Sequence, residues 1–468
     1  MLIIQSNINR GDLMVLDFNY QDIVDQCNAM VYLNTVSYCM LSGCGNIELP
    51  QENELEKMYA LMGDIDEHKK PGNIFFMSSL YKRCMPVYSQ YPETAFDFNS
   101  FQWIHKKARK IVKPDIMSYS IYCLSLLSKK IRDGEISIEH KDFMEYCLLN
   151  TAMKQAQFCR QFLKIGDLYY SGEDISDNSY GEYQIEINPD DASLLPQLFM
   201  LEAFSMLIKC ARDRDFFSIA SIQGLEGEFK LIPALCNNIT ENINMIKSRD
   251  LSLAGLSLIN LYKSSEDYKH ILYDTSNMIG CELNERLYTN GDIGRNIIDR
   301  ECSSFITLCN SLRFFVKLHE INPMDFYSSA IAKIYDRIDS FWNDNMGLFI
   351  NINEKKVKYT IKDIGYVFAA LKALRDHFKE SELCLYVEKQ LSGFYRAALV
   401  NSKIFNNQAY PILQNDRLEL HTLGTLDKKM APVFMKEFEI KINKKKYYCQ
   451  SGIMRPEYVM CGCKQLLT

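Results

Sequence analysis

The stretch Ser340-Phe-Trp-Asn-Asp-Asn-Met-Gly-Leu-Phe349, followed closely by Thr360-Ile-Lys-Asp-Ile-Gly-Tyr-Val-Phe-Ala-Ala-Leu371, decides the fold. Its first part closes an amphipathic segment, Pro323–Trp342, in a turn whose Asn and Gly residues favour tight backbone geometry. Phe349–Tyr359 reads as a short hairpin. Asp363 then opens Ile364–Leu374, a run so poor in charge that it predicts a helix buried on most sides.

Outward from this stretch the same signature, an acid and then a long apolar run, recurs along the chain. Asp115 precedes Ile116–Leu127, Asp191 precedes Ala192–Ile208, Asp250 precedes Leu251–Tyr262, and Asp299 precedes Cys302–Val316. Glu457 opens the sixth run, Tyr458–Leu467. The acids are 49 residues apart at the closest (Asp250 to Asp299) and 94 at the widest (Asp363 to Glu457), room each time for a second helix and two loops. Charged returning segments fill those gaps at Ile138–Leu163, Gly227–Lys247, Ser265–Glu285, Pro323–Trp342 and Ser381–Val400. Six pairs, each with one unusually apolar member, predict a closed ring of buried inner helices within a circle of amphipathic outer ones. The sixth inner run must borrow its partner from an earlier helix. Aspartate is a favoured N-cap worth about 1 kcal/mol, so helix capping alone is the plain account of the acid series.

Composition narrows the partners. The chain has 468 residues, long for one ordinary core, but a ring grows by adding repeats. A net charge of −6 gives no footing for a nucleic-acid backbone, which needs a clustered basic surface. The dense basic run Lys441–Lys446 reads as a solvated turn. No secretion signal is visible near the N-terminus, and no uninterrupted apolar stretch approaches the ~20 residues of a membrane span. The sixteen cysteines are scattered among apolar helix positions, which fits reduced thiols and a cytoplasmic setting. Cys461 and Cys463 are the only near pair, so neither a metal nor another cofactor is expected. A protein partner is compatible with all of this. Residues 1–104 are expected to form a mixed cap (hairpin, helix, aromatic-rich irregular stretch) leaning on a ring of residues 105–468.

The Trp342-x5-Leu-Phe turn, hairpin and Asp-headed inner helix resemble the hairpin unit of the six-hairpin (α/α)6 toroids. That superfamily includes many glycoside hydrolases, polysaccharide lyases and the N-acylglucosamine 2-epimerase group. The resemblance is clear over about 325–380, diffuse over 105–468, and implies an all-α (α/α)6 toroid rather than any one chemistry. Resemblance to the epimerases would imply catalytic histidines at the mouth. Here His319 and His377 fall at the far ends of inner helices, and only His421 is placed to reach the mouth. A third toroid chemistry, isoprenoid cyclisation, uses the middle acid of Asp-x-Asp-Asp; this chain has Asn188-Pro-Asp-Asp191 instead.

Inner-helix N-termini converge at the mouth of such a ring, and two connections there are rich in acids and tyrosines. Gly166–Asp191 carries eight acids, among them Glu186 and Asp191, interleaved with Tyr169, Tyr170, Tyr180 and Tyr183. Carboxylates accept sugar hydroxyls and aromatic faces cover a sugar's C–H side. Glu282–Glu301 carries Tyr288, Asp292, Arg295 and Asp299 around the turn Asn290-Gly291-Asp292. Glycosidic cleavage needs two carboxyls about 5–9.5 Å apart, so Asp191 paired with Asp292 or Asp299 is the expected catalytic set. Tyr169, Tyr170, Tyr183, Glu186, Tyr288 and Arg295 are the expected substrate contacts, and Asp191 is expected to outweigh Asp115 and Asp250. The function reading is a cytoplasmic, metal-independent toroid enzyme acting on a sugar or polyol-like molecule through mouth carboxylates. A non-catalytic toroid that binds a partner is the alternative, and an isoprenoid enzyme the second.

Overall fold

The computed structural model describes residues 18–63, 74–89, 101–104, 108–177, 183–296, 301–351, 354–379, 381–406, 430–449 and 454–468. Fourteen helices of eight residues or more lie among them. They are α1 (Tyr20–Val36), α2 (Glu52–Met62), α3 (Pro114–Arg132), α4 (Lys141–Phe162), α5 (Leu194–Arg212), α6 (Ile219–Glu226) and α7 (Ile232–Glu241). The second half adds α8 (Ser248–Tyr262), α9 (Lys269–Glu285), α10 (Phe305–Ile321), α11 (Asp325–Asp339), α12 (Ile361–His377), α13 (Glu382–Tyr395) and α14 (Pro456–Leu467).

The ring closes in the order α3, α5, α8, α10, α12, α14 and back to α3. These are the six acid-headed runs, and they form the inner circle. Outside them α4 packs on α3, α6 on α5, α9 on α8, α11 on α10 and α13 on α12. The partner of α14 is α1, which also touches α13 and α3. Chain assigned from sequence to the cap thus supplies the sixth outer helix, because burial of the exposed side of α14 needs an apolar helix and α1 is buried over most of its length. Inner helices approach closely where small residues permit it: a Cβ on Gly365 of α12 would stand 3.0 Å from the Gly462 Cα of α14. By length and composition α5 would cross a bilayer, yet here it lies between α3 and α8 with most of its surface covered.

Among the described residues twelve short strands decorate the helices. β1 (Ile47–Glu48) pairs with β2 (Phe76–Met77), and β3 (Ile111–Val112) with β6 (Gly172–Asp174). β4 (Lys164–Ile165) pairs with β5 (Leu168–Tyr169), and β7 (Ile185–Ile187) adds to β6. β8 (Trp342–Asn343) turns into β9 (Leu348–Phe349), β10 (Lys356–Thr360) pairs with β11 (Glu437–Lys441), and β11 with β12 (Lys446–Cys449). The hairpin read over Phe349–Tyr359 is therefore displaced. Trp342 pairs with Phe349 across the Gly347 turn, and the chain that follows finds its partner some eighty residues on, in register Val357 to Ile440. Lys441–Lys446 is the turn between β11 and β12, its central lysines exposed.

None of the acids is the N-cap residue of these helices, although Asp363 completes a capping box with Thr360. The N-cap residues of the inner six are Lys113, Ser193, Lys247, Ser304, Thr360 and Arg455. Asp115 and Glu457 stand second in their helices, behind Pro114 and Pro456, whose missing N–H costs nothing at a first turn. Asp250 and Asp363 stand third. A carboxylate one turn inside still faces the positive end of the dipole, so the preference survives the change of position. Asp191 precedes α5 entirely, and Asp299 lies outside the described residues.

Candidate functional site

Steps of four and then three residues keep to one face of a helix. The second residue of each inner helix is Asp115, Leu195, Arg249, Ile306, Lys362 and Glu457. The sixth is Tyr119, Phe199, Leu253, Asn310, Tyr366 and Cys461, and the ninth is Tyr122, Glu202, Leu256, Arg313, Ala369 and Lys464. Contacts between helices that are not ring neighbours show that this face looks into the axis. Lys464 of α14 meets Glu202 of α5 at 2.7 Å, and Arg313 of α10 donates to the Thr468 hydroxyl beyond α14 at 2.8 Å. The three sets are tiers of one lumen.

Exposure changes sharply between them. Every residue of the first tier is at least partly exposed, Arg249 the most open of them. The second tier runs from 0 % exposed at Cys461 to 7 % at Phe199. The mouth is thus a shallow dish with a charged rim, floored by the rings of Tyr119, Phe199 and Tyr366. The Cys461 thiol donates to the Tyr366 hydroxyl at 3.4 Å, stitching the floor.

On the rim, Asp115 accepts from its neighbour's backbone, Ile116 N, at 2.9 Å. Burial raises its pKa, against the attraction of Lys113 and that backbone bond, so this carboxyl holds its proton more tightly than an ordinary aspartate. Glu457 adds like-charge repulsion from α14 and Lys362 opposes it from α12. Burial disfavours the Lys113 ammonium, but Asp115, Glu457 and Asp191 outweigh that and raise its pKa. Its Nζ lies 3.6 Å from Glu457. Two carboxyls therefore share one lysine at the dish edge.

Below the floor the axis is filled. Lys464 lies over the rings of Tyr122 at 4.7 Å and Phe199 at 5.2 Å, and Glu202 also accepts from Ser257 at 2.9 Å and Asn260 at 2.8 Å. Arg313 bonds Gln465 and Thr468, and burial lowers its pKa. A buried pair held by further hydrogen bonds and ring faces is a structural plug.

The residues expected from sequence scatter around this dish. Asp191 is exposed, accepts from Ser171 Oγ at 2.5 Å, and lies within electrostatic reach of Lys113 at the rim. Asp115, ranked below it on sequence, is the deeper acid. Asp292 is buried but turned to the outer circle, where Arg337 of α11 donates to it at 2.7 Å. It is not brought to Asp191, because the tight turn at Gly291 packs on the Lys333 carbonyl of that same outer helix. Tyr169 is fully buried, its hydroxyl on Glu228 at 2.8 Å, so it is core rather than wall. Tyr183 packs on Phe158 and Phe162 and donates to the Ile47 carbonyl at 2.8 Å. Glu186 is exposed on β7 opposite Glu173, and Tyr170 is half-buried just past β5. Tyr288 supports the turn at Gly294, and Arg295 is exposed, its carbonyl accepting from Ser248 N at 2.8 Å. Asp190 and Asp191 are both exposed, unlike the buried acid a cyclase would need. His319 and His377 pair their rings at 5.0 Å at the end opposite the mouth, and His421 lies outside the described residues. Sequence reasoning missed Asn310, Arg249, Lys362, Tyr119 and Tyr366. Counting four and seven residues on from Asp115 and Glu457 reaches Tyr119, Tyr122, Cys461 and Lys464, but Arg249, Asn310, Lys362 and Tyr366 stand in no such register with an acid.

No family model matches the chain, and no curated protein matches it in sequence. Among solved structures it is similar to a D-mannose isomerase, with a TM-score of 0.50 and 10 % identity over 89 % of this chain and 96 % of that one. It is also similar to the cellobiose 2-epimerase of Bacillus thermoamylovorans B4167, with a TM-score of 0.51 and 9 % identity over 89 % and 99 %. At such identities the likeness is one of architecture, and with the ring order above it makes the chain an (α/α)6 toroid.

Proposed function

We propose that the protein is an enzyme performing acid–base chemistry on a sugar or similar polyol held in the dish. The observation that carries this reading is Asp115, a carboxyl whose pKa burial raises, set beside Glu457 with both leaning on Lys113 above an aromatic floor. A carboxyl whose pKa burial raises is suited to proton transfer, and Glu457 places a second carboxyl on the same lysine. Tyr119, Phe199 and Tyr366 supply aromatic rings whose faces suit the C–H side of a sugar. The substrate class is also that named for the two similar structures, a mannose isomerase and a cellobiose epimerase. The reading calls on no metal and keeps the cytoplasmic setting expected from the cysteines.

The test is incubation with a panel of mono- and disaccharides in D2O, followed by NMR for deuterium uptake beside the carbonyl carbon and for new reducing ends. Wild-type protein should convert at least one sugar, and Asp115→Asn should slow it by about 10²–10⁴-fold with the fold intact. Unchanged turnover in Asp115→Asn would sink the assignment. A second reading, a non-catalytic binding toroid, draws on the shallow floor above the Glu202–Lys464 plug. It expects a retained sugar, no conversion, and no effect of that substitution on turnover.

A further inference from the structure

The dish is not electrically uniform. Its α3 and α14 side carries the carboxyls Asp115 and Glu457, already engaged with Lys113. Its opposite side is made by α8, α10 and α12, three consecutive helices of the ring. Arg249 of α8 and Lys362 of α12 stand there in the first tier, flanking Tyr366: the guanidinium is drawn to the Tyr366 hydroxyl, and Lys362 Nζ lies 5.8 Å from the ring centre. Among the described residues neither cation has an ion pair. Asp250 attracts Arg249 from the next position without pairing, and Asp363 is turned back onto Thr360 at 2.9 Å.

Between the two cations, one tier deeper on the intervening helix, is Asn310. It is 1 % exposed, and among the described residues neither its amide nitrogen nor its amide oxygen has a hydrogen-bond partner. An orphaned buried amide costs about 1–3 kcal/mol, so such a side chain calls for an occupant above it. It lies one turn ahead of Arg313, whose guanidinium crosses the axis, so its face is the lumen. Two unpaired cations, an unsatisfied amide and three convergent helix N-termini together describe an oxyanion recess.

We propose that Arg249, Asn310 and Lys362 bind an oxyanion substituent of the sugar, a carboxylate or a phosphate, and so present its reacting carbon to Asp115. This rests on the sugar reading above and adds the charge of the substrate. The substrate would lie across the dish, anion toward α10 and proton-transfer centre toward α3.

The experiment is calorimetric binding of glucuronate, glucose 6-phosphate, glucose and inorganic phosphate to wild type, Arg249→Gln, Lys362→Gln and Asn310→Leu. Thermal unfolding of each variant checks the fold. At least one anionic sugar should bind about tenfold or more tightly than glucose, and each variant should lose about that factor. Whichever of the two binds identifies the oxyanion. Asn310→Leu should weaken that binding while raising the melting temperature of the free protein, two effects of opposite sign that a merely structural asparagine would not produce. Equal binding of all three sugars overturns the recess and leaves the sugar reading standing. Phosphate binding that Arg249→Gln abolishes, with no sugar bound, keeps the recess and removes the sugar reading. Anionic sugars bound equally by wild type and variants overturn the assignment of these residues, and no binding by any probe overturns both.

Discussion

The first and third tiers of the lumen are built by the same six helices and carry similar charges, yet they treat them in opposite ways. In the third tier Glu202 has Lys464, Ser257 and Asn260 as partners, and Lys464 has ring faces besides. In the first tier Arg249 and Lys362 have no ion pair among the described residues, and burial raises the pKa of Asp115 beside Glu457. Charge alone does not separate a plug from a site; the difference is whether the protein supplies the partner. A satisfied buried network holds the ring, and an unsatisfied one waits for a ligand.

The comparison breaks most visibly at the plug. Glu202→Met leaves Lys464 buried and uncompensated and should cost about 3–5 kcal/mol in denaturant unfolding. The double substitution Glu202→Met with Lys464→Met should recover most of that loss. A single substitution within about 0.5 kcal/mol of wild type would mean that the third tier is not a plug at all. On the rim the order of effects reverses. Asp115→Asn should leave the unfolding free energy close to wild type while removing about 10²–10⁴-fold of turnover.

A smaller effect sharpens the contrast from within the first turns. The Thr360 hydroxyl accepts from Asp363 N at 3.1 Å, and Asp363 returns a bond to Thr360 N. Thr360→Ala should cost about 1 kcal/mol and leave sugar affinity unchanged, since this rim group has its partner. The smallest effect is a slope. The folded pKa of Asp115 lies above its unfolded value, so its contribution to stability is full below the unfolded pKa and declines as pH rises through the folded one. Melting temperature followed from acid to neutral pH should therefore fall more in wild type than in Asp115→Asn. Parallel curves would remove Asp115 as the proton-holding acid.

Much of the ring was legible because its signal is local. An inner helix is apolar on nearly every side, and that pattern fits within Ile364–Leu374 or Leu251–Tyr262 alone. What escaped was non-local. Nothing in Tyr20–Val36 names α14 as its neighbour, and nothing in Lys356–Thr360 names Glu437–Lys441, because such pairings are chosen by what remains uncovered after local structure has formed. The site escaped for a different reason. Acid-rich loops drew the expectation to Asp191 and Asp292, whereas the dish is read down helix faces, where Arg249 and Lys362 look like ordinary polar ends and Asn310 is hidden in an apolar run. Asp292 looked free only because its partner, Arg337, is 45 residues away.

The pairing of α1 with α14 has a consequence for synthesis. Tyr20 leaves the ribosome long before Pro456, and at about 5–20 residues per second roughly 20–90 s separate the two. Throughout that interval five hairpins can stack while the apolar face of α1 and the open seam between α12 and α3 have nothing to cover them. The nascent toroid is an incomplete arc with two adhesive ends, the state in which it is most exposed to neighbouring chains and to chaperones. The last helix of the ring to be made, α14, acts as the latch.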